Sequence, residues 1–372
     1  MMRASNGRLH CLQTYSKIGI TFVTLILMGI NPSGKIETPK LSDGRPWPSD
    51  FLPRRGLRGG HRQTVIAAYL PRKNRLPKPE QRLFSVEPEV QILAYCHWQP
   101  DRTSRTTLLV IHGLEGSSEA QYVIGTANKA WSEGLNVVRM NMRNCGGSEQ
   151  LTRTLYNSSM SGDVAAVASA LIDHDKLPSI AVAGFSMGGN LVLKMDGEWA
   201  TNAPPQLKAV VAISPAMDLA VSAKALHEWQ NRLYEYRFLL GLHGSVTRKA
   251  RLYPDVYRTY PLFSIRSLRD FDHRITARYG GFESAEDYYY RAAAARVVEH
   301  IATPTLIIHS IDDPFIKISA ESRTKILANP HIRYIETEHG GHCAFLADPV
   351  GYDGRWAEKK IVEFTQELAP NP

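Results

Sequence analysis

The sequence predicts an α/β fold, a mostly parallel, doubly wound sheet with a helical cap insertion. Three observations predict it. Short, continuous apolar runs rich in β-branched residues alternate with helical stretches along most of the chain. One strand–turn–helix junction carries the pattern G-x-S-x-G. A long aromatic-rich stretch then interrupts the alternation. Runs without in-and-out alternation suit strands covered on both faces, and the intervening helices supply the right-handed crossovers that parallel pairing needs. At 372 residues, 43% hydrophobic and 22% charged, the chain is not of the disordered, collagen-like or polytopic membrane class.

The expected strands are residues 107–111 (TLLVI), 136–140 (NVVRM), 179–184 (SIAVAG), 207–213 (LKAVVAI), 304–309 (PTLIIH) and, more weakly, 331–336 (HIRYIE). Helix-like segments are expected at 118–133, 161–173, 186–199 and 356–368. Residues 215–300 hold no buried-strand run and carry 14 of the 33 aromatic residues. An insertion of that kind between two strands suggests a helical cap over the C-terminal edge of the sheet; ordinary helix packing would also use many of these rings. The expected organisation is therefore an N-terminal extension, 1–45, followed by one domain, 46–372, with the cap at 215–300.

The net charge of +8 is unevenly placed. Residues 1–82 hold 15 Lys and Arg against 4 Asp and Glu, and the remaining 290 residues hold 29 against 32. The bulk of the chain therefore gives no support to nucleic-acid binding, and the basic N-terminal stretch, residues 1–60, is the place for any peripheral membrane contact. An apolar run at 18–30 is shorter than the roughly 20 residues that span a bilayer. It has the length of a signal-peptide core, but no A-x-A site follows. Two readings stay open: a targeting or anchoring segment, and an upstream extension with Met28 as the initiator. Residues 31–60 read as a Pro-, Gly- and Arg-rich linker. Four scattered cysteines (Cys11, Cys96, Cys145, Cys343) form no zinc pattern or disulfide scaffold and suggest free thiols in a reducing compartment. The expected location is cytoplasmic, with membrane association through the N-terminal apolar segment as the alternative.

Gly184-Phe185-Ser186-Met187-Gly188 matches G-x-S-x-G between an apolar strand and a helix. The sharp turn at such a junction lifts a serine hydroxyl above the sheet edge, and the flanking glycines leave room for it. The bland alternative is a plain β–α turn with a serine N-cap. A serine hydroxyl needs a general base held by a carboxylate, in the chain order serine, acid, histidine. The run at 304–309 leads to Asp312-Asp313-Pro314-Phe315. Asp313 is the chosen acid, Asp312 the near alternative and Asp218 a distant one. The base belongs in His339-Gly340-Gly341-His342, with His342 favoured over His339; His97, His112, His227 and His273 lie in the wrong places. An oxyanion would need two backbone N–H groups, expected at Met187 and, after the first strand, at Leu114. No metal or cofactor is implied.

With these residues in view, the chain resembles the YheT-type α/β-hydrolases, whose eukaryotic relatives are abhydrolase-domain esterases and lipases. The resemblance runs from about residue 54 to the C-terminus. It rests on Arg55-Gly56-Leu57 with His61-x-Gln63-Thr64, HGLEGSSE (112–119), NVVRMNMRNCGGSE (136–149) and GFSMGGN (184–190). FDHRITARYGGFESAEDYYY (271–290), IDDPF (311–315) and HGGHCAFL (339–346) complete it. It implies an α/β-hydrolase fold, a triad on Ser186, Asp313 and His342, and hydrolysis of short- to medium-chain acyl esters or acylglycerols. The chain departs from the family at Gly59-Gly60-His61-Arg62-Gln63-Thr64, where Asn-Pro-His-Leu-Gln-Thr is usual. It departs again at Arg143-Asn144-Cys145-Gly146-Gly147, where Arg-Gly-Cys-Gly-Gly is usual. The expected enzyme is a serine esterase or lipase. The competing readings are a non-catalytic lipid-binding member of the fold and a membrane-surface or nucleic-acid binder using the basic N-terminus.

Overall fold

The computed structural model describes residues 46–259 and 261–370; the apolar run at 18–30 and Cys11 lie outside the described residues. Eight strands form one sheet. They are β1 (Glu80–Glu87), β2 (Val90–His97), β3 (Thr107–Ile111), β4 (Asn136–Met140), β5 (Ile180–Phe185), β6 (Leu207–Ile213), β7 (Thr305–Ser310) and β8 (Ile332–Thr337). Their order across the sheet is β1-β2-β4-β3-β5-β6-β7-β8. From β4 to β8 every neighbouring pair is parallel. β1 and β2 form an antiparallel pair at one edge, and β2 runs antiparallel to β4.

The sheet is apolar on both faces because helices cover both. Leu109, Ile111, Val182, Val210 and Ile307 point to one face, where they meet helices α3 (Ser161–Asp173) and α4 (Met187–Trp199). Leu108, Val110, Ala183, Val211 and Ile308 point to the other, against α2 (Gln121–Ser132) and α9 (Trp356–Leu368). Successive strand residues face opposite ways, so a doubly covered strand must be apolar throughout.

Three elements stand outside the sequence reading. Helix α1 (Gly60–Tyr69) begins where the expected linker, 31–60, ends, and helix α8 (Ala320–Ala328) lies between β7 and β8. The β1–β2 hairpin is the third. Of the eight residues of β1, only Phe84 is buried, so its sequence reads as polar. Between β6 and β7 the chain forms α5 (Leu219–Leu226), α6 (Arg232–Leu252), a helical stretch with a π turn at Asp272–Ala277, and α7 (Ala285–Ala292). Among the described residues of 215–300 there is no strand. No helix among the described residues is long and apolar enough to cross a membrane.

The chain order moves outward from β3 to β4 and then returns to β5 on the other side of β3. Such a reversal opens a crevice at the carboxyl ends of the strands, where open α/β sheets bind ligands. The loops after β3 and β5 carry Leu114 and Ser186 to that edge.

Candidate active site

Ser186 occupies the turn between β5 and α4 with φ 55° and ψ −116°, a region that L-residues rarely enter. The sheet holds it there. The Ser186 N–H donates to the Ile213 carbonyl at 2.9 Å, and the Ser186 carbonyl accepts from the N–H groups of Asn190 and Ala216, both at 3.1 Å. The flanking glycines are required by close approach. A Cβ on Gly184 would stand 2.2 Å from the Gly188 carbonyl oxygen, and one on Gly188 would stand 2.4 Å from that of His112.

The His342 Nε2 lies 2.9 Å from Ser186 Oγ, and its Nδ1 lies 2.8 Å from Asp313 Oδ2. Asp313 is fully buried. Its other oxygen accepts from the Phe315 and Ile316 N–H groups at 3.1 and 2.9 Å. Burial disfavours the carboxylate, but the adjacent His342, then His309 and the Ile316 amide, outweigh it and hold the pKa below its usual value. Burial likewise opposes a charge on His342. The neighbouring Cys343 sulfur and the Asp313 carboxylate favour that charge, and the net effect raises the imidazole pKa above 6.5. The geometry therefore joins a hydroxyl, an imidazole and a carboxylate in one hydrogen-bonded line.

The neighbouring Asp312 faces elsewhere. Its Oδ1 accepts from the Gly341 N–H at 2.9 Å and from Ser310 Oγ at 2.5 Å, while its Oδ2 lies 3.3 Å from His339 Nδ1. Asp218 accepts from the Ser319 N–H and the Ser322 hydroxyl at the start of α8. The other histidines have separate partners: His112 is buried between the Gly113 carbonyl and the Met142 N–H, His97 abuts Arg139 and His227 faces Glu235. His273 is exposed.

In the loop after β3, the Gly113 N–H donates to the Tyr122 hydroxyl and the Glu115 N–H to the Tyr156 hydroxyl. The amides on both sides of Leu114 are thus engaged by tyrosines. Leu114 and Met187 line the same cavity as Ser186.

Several supporting residues carry no signal of their role in the sequence. The His342 N–H donates to Thr64 Oγ1 at 2.8 Å. Gln63, fully buried, accepts from the Leu346 N–H at 2.8 Å and donates to the Leu346 and Leu57 carbonyls. The Cys343 N–H donates to Ser214 Oγ at 3.1 Å. Helix α1 therefore grips the loop that presents the imidazole. The only hint was the motif His61-x-Gln63-Thr64, which carries the resemblance but reveals no partner. Among the described residues, no cluster of three or more His, Cys, Asp or Glu is placed to hold a metal ion.

Above Ser186 lies a cavity of about 1010 Å³, a volume that includes space open to solvent. The segment between β6 and β7 supplies much of its wall, including Leu219, Phe238, Leu242, Val246, Leu268 and Phe271. Asp272, on the π turn, also lines it. The Asp272 carboxyl accepts from two neutral hydroxyls, Thr276 Oγ1 at 2.7 Å and Tyr289 OH at 2.9 Å. Burial raises its pKa from 3.8 to about 7, against the pull of those two bonds. The folded chain therefore holds this proton more tightly than the unfolded chain. Its contribution to stability is fully present below 3.8 and falls as pH climbs toward 7. Asp272→Asn is expected to remove that decline. Thermal denaturation across a pH series should show the variant gaining on the parent through the window, by about 1.4 kcal/mol per pH unit. A difference that stays flat with pH would contradict this.

Comparison with known proteins bears on the family and the fold. Residues 106–349 match the family described as alpha/beta hydrolase fold. The chain is 30% identical over 318 residues to "Putative esterase YheT" of Escherichia coli, covering 85% of this chain and 93% of that protein. It is 26% identical to the human Phospholipase ABHD3 over 72% of this chain and 65% of that one. It is 25% identical to the Monoacylglycerol lipase of Saccharomyces cerevisiae over 73% of this chain and 62% of the yeast protein. Among solved structures, the Pyrococcus furiosus esterase Pf2001 superposes with a TM-score of 0.52 at 16% identity, covering 78% of this chain and 93% of that one, a likeness of fold. The chain belongs to the α/β hydrolase fold family, as a serine ester hydrolase.

Proposed function

We propose that the chain hydrolyses carboxylic esters with short- to medium-chain acyl groups, or acylglycerols, through Ser186, His342 and Asp313 and an acyl-enzyme intermediate. The single observation that carries this reading is the hydrogen-bonded line of those three side chains at the floor of a largely apolar cavity. His342 takes the Ser186 proton as the hydroxyl attacks the ester carbonyl. Asp313 fixes the imidazole with Nε2 toward the serine and stabilises its charged form. The Leu114 and Met187 amides hold the oxyanion. His342 then returns the proton to the departing alcohol. Water, activated by the same imidazole, releases the acid and restores Ser186. Residues 215–300 act as a cap whose apolar side chains receive the acyl chain.

The test has two parts. A fluorophosphonate probe should label the protein stoichiometrically, with the adduct mapped to Ser186 by peptide mass spectrometry. A panel of p-nitrophenyl esters and monoacylglycerols of increasing acyl length should then show a maximum of kcat/KM among short to medium chains. No label at Ser186 would overturn the mechanism and favour a non-catalytic lipid-binding protein. A maximum at long chains would overturn the substrate range alone.

A further inference from the structure

Helix α6 presents two apolar faces, and only one is accounted for by the cavity. Phe238, Leu242, Ser245 and Val246 line the cavity. At 100° per residue, Leu233, Tyr236, Arg237, Leu240 and Arg251 fall on the opposite side, with Arg248 on the flank between the two faces. All six are exposed. Tyr236 is 55% exposed, Leu233 43% and Leu240 39%, and Trp229, one turn ahead of the helix, is 78% exposed. Scattered surface apolar residues need no explanation, but these share one stripe with arginines.

The charge on that stripe has one sign. Glu235 is the only acidic residue within α6. It points inward, is 2% exposed, and accepts from the Leu268 N–H beside His227. Arg248 pairs with Glu149. Nearby exposed carboxylates are Glu228, just before the helix, and Asp255, just after it and paired with Arg153. Exposed Trp, Tyr and Leu beside Arg, with acidic side chains only at the margins of the stripe, is the composition that seats a helix at an anionic lipid interface. Trp and Tyr favour the headgroup level, while arginine meets lipid phosphate.

We propose that the outer face of α6, from Trp229 to Arg251, docks this protein on an anionic lipid surface. The charge argues for lipid over a second copy of the chain, because two such faces would bring like charges together. The docking helix is also a wall of the cavity, so a lipid-borne substrate would lie one helix thickness from Ser186. This surface is distinct from the basic N-terminal residues 1–60. The proposal goes beyond the ester-hydrolase reading, since binding to lipid needs no turnover.

The test uses the full chain and vesicles of phosphatidylcholine with and without phosphatidylglycerol. The full chain should cosediment with the anionic vesicles, and added salt should release it. Each of Arg237→Gln and Arg251→Gln should weaken binding about fivefold, from the known worth of a basic group near an anionic surface. Trp229→Ser combined with Tyr236→Ser should weaken it further. None of these four residues lines the cavity, so hydrolysis of a soluble short ester should be unchanged in every variant, which also checks that each folds. Hydrogen exchange on the vesicle-bound parent should show protection confined to 229–252. Vesicle binding unchanged in the variants, protection mapped only elsewhere, or loss of self-association without loss of lipid binding would overturn the proposal.

Discussion

Ser186→Ala is expected to lower kcat for short p-nitrophenyl esters by a factor on the order of 10⁴–10⁶ while leaving the fold intact. The size follows from the way the three groups act as a unit. Without the hydroxyl, His342 has no proton to take and no covalent intermediate can form. What remains is stabilisation of the oxyanion by backbone amides. The fold should survive because the turn is held by backbone bonds from Ile213, Asn190 and Ala216, none of which uses the hydroxyl. Alanine faces the same positive φ that serine already accepts. Circular dichroism and a thermal melt would verify the fold, and stopped or continuous ester assays would supply the rate. Retained activity in a folded variant would remove Ser186 from the mechanism.

The second large effect separates two adjacent carboxylates. Asp313→Asn should lower kcat/KM on the order of 10⁴-fold, because an amide facing Nδ1 favours the wrong tautomer and cannot stabilise the imidazolium. Asp312→Asn should cost about tenfold or less, since its amide oxygen can still accept from the Gly341 N–H, although without the strengthening that charge brings. Both variants would be assayed on the same ester. Equal losses would mean that loop position, rather than charge beside the imidazole, controls the rate. The reverse order would exchange the roles of the two residues.

The parts legible in the sequence are those fixed by local pattern. The runs at 107–111, 136–140 and 207–213 coincide with β3, β4 and β6, because burial on both faces leaves an apolar run with sharp ends. Ser186, Asp313 and His342 could each be found at the end of a strand, in the order such a fold requires. The choice between Asp312 and Asp313 was less legible. Adjacent residues after a strand point in different directions, and only the path of the loop decides which meets the imidazole. Thr64 was not legible at all in its role. Its partner, the His342 amide, is 278 residues away, and no local periodicity records a contact of that range. Phe84 alone marks the buried side of β1, so an edge strand passed as polar chain. The two-sided character of α6 was equally hidden, because its aromatic and aliphatic residues divide between cavity and exterior only once the helix is seated.

The seam between α1 and the loops after β7 and β8 has a consequence for descent. A Cβ on Gly60 would stand 1.7 Å from the Asp312 carbonyl oxygen, and one on Gly341 would stand 2.5 Å from the Gly60 carbonyl oxygen. Three backbones from distant parts of the chain meet there with no room for a side chain. The usual family segment carries proline at the position of Gly60, and a proline cannot fit against Asp312 as it stands here. A change of residue 60 to proline therefore requires helix α1 or the acid loop to shift. Across related sequences, residue 60 and the spacing between α1 and the backbone at 312 should be inherited as a matched pair.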